Sequence, residues 1–542
     1  MGLTFRGNTG KIKKEEKMSG KLLNGQPVLS AGCGKKVLVL GAGRVSKPAI
    51  DYLLDRDNIE VTAVDFYIDA AKAAVANRDR ARAAVVDAHS KEDLEKLVNG
   101  HDAVICLVPG ADVNLTKIVI AMKDPKPAIF TTDYVKPQLE ALMQEAANSN
   151  TYVLTGVGTD PGIDHAAVVQ MKNNIEKKGG KIKELYSLCG SLPAKENSNS
   201  WGMCLGWLPT GIVDSTARET SYKKDGKIYF LDTGNTFEHA WEIQINGQTY
   251  EANSNEMIEP YLSLYRVEDA DSVMRGTLRY PGWRETVLAL RDLGFYRGKT
   301  RTNRGQTYDL TRLKQGKATY RDFVNILIGR EPSANEGMRQ HVASHLDIAP
   351  DSDVIHRLED LGLFKDIAIT SSPLPGNNPG SVTGSDILVQ LMLRHPDWNY
   401  QEGQWDVVVM KHIMVAQYPG GVKKELTSTM VLKGDPYGEK VFIEENHHQE
   451  RFGIKVQVFP DGRRGVYLPG VPAISRSVGA AVAAAVVGYL AGETDVTPGI
   501  KYGPLTDSTS RSLLKRLNDI GICLVHEEKI YNENNPPLKR II

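Results

Sequence analysis

The sequence predicts an α/β protein: a parallel sheet with helices on both faces in the N-terminal part, and a second, mixed sheet beyond it. Three observations predict this. Short apolar runs alternate with helical patterns from Lys35 to about Thr155, as parallel strands and their crossover helices do. A glycine turn, Gly41-Ala42-Gly43-Arg44-Val45-Ser46, lies between the first apolar run and the first helix. After about Ile182 the pattern becomes period-two alternation, the mark of half-buried strands.

The first strand is Val37–Leu40, and the helix behind the turn runs through Ile50, Leu53 and Leu54. The second strand, Val61–Val64, ends at Asp65. Strand, glycine turn, helix, strand and acid together are the layout of a dinucleotide site in a Rossmann-type domain. Gly41 allows the tight turn, Gly43 admits a pyrophosphate against the backbone, and the helix N-terminus supplies free N–H groups. Arg44, Val45 and Ser46 complete the cradle. Ser46 replaces the third glycine, so the helix is expected to pack slightly less closely. Asp65 can accept both ribose hydroxyls, and its charge repels a 2′-phosphate. NAD is therefore expected as cofactor, with Arg44 leaving NADP open. The competing readings are a turn without ligand, which leaves Asp65 unexplained, and a merely solvated strand-end acid.

A helix over Asp69–Asn77 precedes a third strand, Ala83–Val86, that ends at Asp87; Asp87 either touches the adenine edge or simply closes its strand. A helix at Lys91–Val98 leads to the fourth strand, Ala103–Val108, with Leu107 near its end. Helix Val113–Met122, strand Ala128–Phe130 with Thr131 and Thr132, helix Lys136–Ala147 and strand Tyr152–Leu154 follow. Ligands of such sheets sit at the carboxyl ends of the strands. Those ends carry Gly41, Asp65, Asp87, Pro109, Thr132-Asp133-Tyr134 and Gly156–Asp160, which map the expected cleft.

In the second part, Glu184–Leu188, Ile228–Leu231, Trp241–Ile245, Val407–Met410 and Glu425–Leu432 read as strands. Arg284 to about Asp366 is mostly helical in pattern, Thr370–Ser385 reads as a loop, and Val478–Leu490 is an alanine-rich helix dense enough to pack on a sheet. The expected divisions are a flexible extension (1–34), a dinucleotide domain (35–160), a mixed-sheet substrate domain (161–295), a helical insertion and loop (296–385), the rest of the substrate domain (386–465) and C-terminal segments returning to the first domain (466–542).

The 542 residues carry 66 basic and 66 acidic side chains, a balance that argues against nucleic acid or an acidic membrane surface as partner. The apolar run Val478–Ala491 is too short to span a bilayer. Five scattered cysteines show no disulfide or zinc spacing and fit a reducing, cytoplasmic setting. No metal site is expected. The first 33 residues lack the apolar core of a signal peptide and carry the charge run Lys11–Lys17.

Five segments in one order resemble the saccharopine dehydrogenases of the glutamate-forming type. Leu40–Pro48 is similar to the family's nucleotide turn, and Thr131-Thr132-Asp133-Tyr134-Val135-Lys136-Pro137 to its Ser-Tyr-Ile-x-Pro segment. Gly158-Thr159-Asp160-Pro161-Gly162-Ile163-Asp164-His165 is similar to Gly-Leu-Asp-Pro-Gly-Ile-Asp-His, and Cys189–Glu196 to Cys-Gly-Gly-Leu-Pro-Ala-Pro-Glu. Arg275-Gly276-Thr277-Leu278-Arg279-Tyr280 matches Arg-Gly-Thr-Leu-Arg-Tyr. The resemblance implies a Rossmann-type domain completed by C-terminal segments, a mixed-sheet substrate domain with a helical insertion, and oxidation of a secondary amine by NAD or NADP in lysine metabolism. A small amino-acid-derived substrate and a homodimer are the implied partners.

For that chemistry the expected catalytic residues are Tyr134, Asp160 and Cys189. Tyr134 can bond the reacting nitrogen, Asp160 can hold the ammonium or the attacking water, and Cys189 can order that water weakly. Asp133, Gly190, Thr277, Leu278 and Arg279 are the further substrate contacts, with Arg279 as a carboxylate clamp. Each has a plainer reading: Asp160 as a turn former before Pro161, Tyr134 as a packed ring, Cys189 as a small buried hydrophobe, Arg279 as a structural ion pair. Asp164 is expected to cap a helix and His165 to be structural. Two departures bear on the substrate. After Cys189–Glu196 the chain reads Asn197-Ser198-Asn199-Ser200-Trp201 and keeps only part of the family's Asn-Asn-Pro and Phe-Ser-Trp-Ser. The family's Asn-Arg-Asp-Ser arginine is missing from Asn253-Ser254-Asn255-Glu256, and Arg266 is the expected substitute. Two further readings therefore stay open, a carboxylated-polyamine or opine-like imine reductase and a catalytically silent dinucleotide-binding regulator.

Overall fold

The structure is a computed structural model; it describes residues 34–541 except 57, 77, 89, 207–208, 301–304, 310–316, 370–379, 438, 443–456, 459–463, 469 and 535. The expected extension, with Lys11–Lys17, and most of the expected loop at 370–385 lie outside the described residues.

The first sheet is built from β1 (Lys35–Leu40), β2 (Ile59–Asp65), β3 (Ala81–Val85), β4 (Ala103–Cys106), β5 (Ala128–Thr131) and β6 (Tyr152–Leu154). Between them run α1 (Ser46–Leu54), α2 (Ile68–Val75), α3 (Lys91–Val98), α4 (Asp112–Ala121), α5 (Pro137–Glu140) and α6 (Met143–Asn148). The expected single helix over Lys136–Ala147 is thus split, with the Leu142 N–H turning back to the Leu139 carbonyl. The strands are parallel in the order β3-β2-β1-β4-β5-β6. Their apolar faces lie in two separate cores, one on each side of the sheet. All loops at the carboxyl ends therefore open on one edge of the domain.

Helix α7 (Ile163–Lys177) leads into the second sheet. Its strands are β7 (Lys181–Pro193), β8 (Thr220–Lys224), β9 (Lys227–Leu231), β10 (Ala240–Ile245), β11 (Gln248–Ser254) and β12 (Ser272–Arg279), separated by α8 (Pro209–Thr216) and α9 (Glu259–Tyr265). An insertion follows: α10 (Trp283–Asp292), β13 (Thr307–Asp309), α11 (Tyr320–Ile328), α12 (Met338–Leu346), α13 (Asp353–Leu361), β14 (Ser381–Thr383) and α14 (Gly384–Arg394). The loop expected to reach Ser385 thus ends earlier: Ser381–Thr383 pairs with β13, and Thr383 with Asp386 forms a capping box that starts α14. The sheet resumes with β15 (Asp406–Gln417) and β16 (Lys423–Lys433).

A small three-stranded sheet, β17 (Glu439–Phe442), β18 (Gln457–Val458) and β19 (Arg464–Leu468), precedes α15 (Ala473–Leu490). Then come β20 (Gly499–Lys501), α16 (Asp507–Asn518), β21 (Val525–Ile530) and β22 (Lys539–Ile541). Strand β20 extends the first sheet beside β6. The last two strands do not return there, as expected for 466–542; β21 pairs with β16 and β22 with β10 in the second sheet.

Helix α15 is long and apolar enough to cross a membrane by length and composition, contrary to the shorter reading of its apolar run. In the fold its small side chains are buried in the core beneath the parallel sheet. A Cβ on Gly479 would come within 2.6 Å of the Val45 carbonyl and 2.9 Å of the Ala49 nitrogen, so α15 lies directly against the glycine turn and α1. We expect Gly479→Val to cost about 1–3 kcal/mol and to weaken dinucleotide binding by displacing Val45. Thermal denaturation and a cofactor titration check both effects.

Candidate active site

The glycine turn has the shape the sequence predicts. Gly41 has φ +92°, and a Cβ there would press on Val108 and Leu107. At Gly43 a Cβ would meet no protein atom within 4 Å. No packing partner requires a glycine at this position, and the cleared backbone is what a pyrophosphate needs. Ser46 does not loosen the turn: buried, it donates its hydroxyl to the Gly43 carbonyl at 2.7 Å. The residues present fit a dinucleotide. Asp65 at the end of β2 accepts from the Ala42 N–H at 2.8 Å and from the Tyr67 N–H at 3.0 Å. Its carboxylate thus holds the turn and the β2–α2 corner. Asp87 is exposed beyond β3. Leu107 donates its N–H to the Leu40 carbonyl beside the turn. Thr131 is buried at the end of β5, with half-buried Thr132 next to it. Arg44 is exposed, and its guanidinium reaches across to the Leu205 carbonyl at 3.2 Å.

The second sheet meets these strand ends at a charged centre. Tyr134 donates its hydroxyl to Asp160 Oδ1 at 3.3 Å. Arg275 of β12 forms ion pairs with Asp160 and, at 2.6 Å, with Asp164 Oδ2. Its guanidinium also lies over the Tyr261 ring, 4.3 Å from the centroid. Asp164 Oδ1 accepts from the Gly162 N–H at 2.6 Å; it lies in the first turn of α7, whose N-cap is Gly162, and so is not the expected cap but an ion-paired first-turn acid. His165 shares a 2.6 Å hydrogen bond with the Tyr265 hydroxyl and is structural. The loop is pinned to α15 by the Thr159–Ser477 hydroxyl pair at 2.6 Å.

Burial sets the protonation states. It pushes the Asp160 carboxyl up to about 6, with Arg275 opposing. Asp164 is held below the usual carboxylate range: burial would raise it, but His165, Arg275 and the Gly162 N–H outweigh that. Burial, with Asp160 adding, holds the Tyr134 phenol well above its usual value, so it remains a donor. Burial and the two aspartates do the same to the Cys189 thiol. Cys189 is therefore a weak donor and not a thiolate.

Register sorts the remaining residues. Cys189 lies opposite Thr277 on β12 and Met410 on β15. Thr277, Arg279 and Cys189 share the face that carries Arg275, because side chains two apart on a strand point the same way. Leu278 points the other way, into the core under the insertion, and its carbonyl accepts from Arg279 Nη1 at 2.9 Å. Gly190 is small because a Cβ would come within 2.7 Å of that same carbonyl. The Leu278 side chain and the missing Cβ of Gly190 thus serve strand packing, which leaves only their backbone for the substrate contacts expected of them. Asp133 is salt-bridged to Lys136 at 2.7 Å.

Arg279 is buried, stacks 5.4 Å from the Trp283 centroid, and has no carboxylate partner among the described residues. Burial lowers it to about 10. It is not the structural ion pair; that role belongs to Arg275, which sequence reasoning did not single out. Arg266 is exposed at the left-handed C-cap of α9 and does not replace the missing arginine. Instead Arg218 pairs with Glu256. Among the described residues, no group of three or more His, Cys, Asp or Glu side chains could hold a metal ion. A surface hollow of about 730 Å³ lies at the opposite, amino ends of the parallel strands, lined by Lys35, His101 and Asp102 among others, and takes in none of Tyr134, Asp160, Cys189, Arg275 or Arg279.

Comparison with known proteins identifies this arrangement. Residues 37–154 match the family model described as saccharopine dehydrogenase NADP binding domain, and residues 158–522 that described as saccharopine dehydrogenase C-terminal domain. The chain belongs to the saccharopine dehydrogenase family. It is 29% identical over 404 residues to the NADP(+), L-glutamate-forming saccharopine dehydrogenase of Saccharomyces cerevisiae, covering 73% of this chain and 85% of that one. It is 27% identical over 413 residues to the mitochondrial alpha-aminoadipic semialdehyde synthase of Rattus norvegicus, covering 75% of this chain but 42% of that one. The structure of apo saccharopine dehydrogenase (L-Glu forming) from Saccharomyces cerevisiae superposes with a TM-score of 0.72 at 26% identity, over 92% of this chain and all of that one. The family model matched by the first domain is described as NADP-binding, whereas Asp65 by itself points to NAD.

The buried histidines give a pH signature. His165 and His412 of β15 are both pushed from the usual 6.5 down to about 4 by burial, so the unfolded chain takes protons that the folded one refuses. Each contributes stability present above about pH 6.5 and lost as pH falls towards about 4. Asp160, raised from 3.8 to about 6, acts in the opposite sense and offsets one of them. We expect the urea midpoint to fall between pH 6.5 and pH 4; a rise over that interval refutes the neutral histidines.

Proposed function

We propose that the chain is an NADP-dependent, glutamate-forming saccharopine dehydrogenase, oxidising a secondary amine to an imine that water cleaves to an aldehyde and glutamate. The observation that carries this reading is the Tyr134–Asp160 pair, held by Arg275 where the dinucleotide strand ends meet the second sheet. The bound nicotinamide would accept the hydride. Asp160, near 6, is ionised at neutral pH yet takes a proton readily. It removes the ammonium proton that otherwise forbids hydride loss. Tyr134, a persistent hydroxyl donor, orients the nitrogen and then the carbinolamine. The Cys189 thiol faces the same space and can order the attacking water. Arg279, charged and without a carboxylate of its own, binds a substrate carboxylate; leaving that carboxylate buried and unpaired would cost about 2–5 kcal/mol.

NADP, not NAD, is supported by the matched domain and relatives, and by the engagement of both Asp65 oxygens with backbone N–H groups. A second reading is favoured by one observation. The Asn253–Glu256 segment offers no arginine, and its Glu256 is tied to Arg218 close enough to bear on Tyr134 and Asp160. A carboxylated polyamine, with fewer carboxylates to clamp, suits such a pocket.

Three outcomes test these statements. Saccharopine with NADP should yield reduced cofactor faster than carboxylated polyamines do; the opposite order selects the second reading, and cofactor binding without any oxidation selects a silent regulator. NADPH should bind at least about tenfold tighter than NADH, about 1.4 kcal/mol, by fluorescence titration. Asp160→Asn should lower kcat about a hundredfold with cofactor affinity kept, and should erase the rise of kcat/KM through about pH 6. Wild-type turnover in that variant removes Asp160 from the chemistry.

A further inference from the structure

We propose that a row of polar side chains across the second sheet carries the proton released in amine oxidation from the Asp160–Asp164 centre to solvent, with His412 as the relay; this rests on the amine-oxidation reading above. The chemistry requires such an exit. The secondary ammonium loses one proton, and its neighbouring carbon then loses hydride to the nicotinamide. The iminium adds water, and the carbinolamine passes its hydroxyl proton to nitrogen as the carbon–nitrogen bond breaks, leaving aldehyde and ammonium. One proton per turnover is left over, and it starts on the Asp160 carboxylate, which is 14% exposed and ion-paired to buried Arg275.

Strand register lays out the path. Arg275 lies opposite Ser187, Ser187 opposite His412, His412 opposite Ser428, and Ser428 opposite His526. Residues directly opposite in a sheet share a face. At about 4.8 Å per strand the row spans about 19 Å, from the ion-paired arginine to exposed His526 on β21. Helix α7 covers the middle of that face, where its Val168 and Met171 share a core with Met414 of β15. It brings Asp164 and His165 towards His412. These two, with Arg275 on β12 and His526 on β21, are the charged or titratable groups that act on His412.

A structural role explains the row poorly. His412 and Ser428 are fully buried. Both ring nitrogens of His412 and the Ser428 hydroxyl have no hydrogen-bond partner among the described residues. Each such orphan costs about 1–3 kcal/mol, whereas an apolar side chain would fill the same place at no such cost. Water between Asp164, His412 and Ser428 would satisfy these atoms and join them into one path. Each ring nitrogen can then take a proton on one side while the other gives one up. Burial, which makes His412 a poor resting place for a proton, suits a carrier that passes it on.

The test follows reduced nicotinamide absorbance and a pH-indicator dye together, after rapid mixing of the full chain with saccharopine and NADP. In the wild type the two signals should rise together. In His412→Gln, the proton signal should lag the first hydride transfer about tenfold and kcat should fall with KM unchanged. His526→Gln, on the exposed edge strand and therefore safe for folding, should show a smaller lag that added imidazole abolishes. Proton release in step with hydride transfer in the active His526→Gln protein, with or without a folded His412→Gln, overturns the relay alone. A wild type that reduces NADP with neither saccharopine nor a carboxylated polyamine overturns the functional reading, and the relay with it.

Discussion

Arg275 between Asp160 and Asp164 is the interaction on which the rest depends. Arg275 and Asp164 are each about 1% exposed, where an isolated charge would cost several kcal/mol. The triad is tolerable because each charge meets its opposite, with the Gly162 N–H and the Tyr261 ring adding contacts; both ion pairs run through one Arg275 nitrogen, and Nε and Nη1 have no hydrogen-bond partner among the described residues. Its members come from different bodies of the fold: Asp160 from the loop behind β6, Asp164 from the head of α7, Arg275 from the middle of β12. The pairs therefore set the distance between the dinucleotide strand ends and the sheet that faces them. Removing the arginine would leave two carboxylates facing each other, with only the Thr159–Ser477 pair, the Tyr134 hydroxyl and backbone bonds holding the loop that carries Asp160.

Helix α15 provides the second constraint. The buried Asp406 carboxylate accepts from the Ala473 and Ile474 N–H groups at its start, tying it to β15. One turn on, Ser477 holds Thr159, and Gly479 lies against the turn that would cradle a pyrophosphate. A single helix thus touches the cofactor turn, the Asp160 loop and the substrate sheet. Hydride transfer needs donor and acceptor placed to a fraction of an ångström, and a dense helix whose middle, Gly479–Gly488, carries only Gly, Ala and Val is a stiff spacer for that purpose.

The first sheet was largely legible because its information is local. The positions of β1 through β6, the glycine turn and α3 follow from apolar runs, glycines and caps within a few residues of one another. The Asp160 loop and Tyr134 were legible by their place at strand ends. Arg275 was not. Period two places Arg275, Thr277 and Arg279 on one face, but nothing nearby in the chain says which arginine meets a carboxylate. The packing of Leu278 and Gly190 was illegible for the same reason, since it depends on which strand lies beside them. Asp65 is a different case: its place at a strand end points to a ribose, while in the fold its oxygens hold the turn backbone.

By itself, the sequence determined the secondary structure of the dinucleotide half, the presence of a phosphate-binding turn and the residue types available for amine chemistry, since each is encoded over a few consecutive residues. Only the tertiary structure decided the partners: Arg275 with two aspartates, Glu256 with Arg218, Gly479 with Val45, and the last strands with the second sheet. Those contacts join residues up to several hundred positions apart. They are chosen by which faces pack and which buried charges must be neutralised, and local pattern carries no record of that choice.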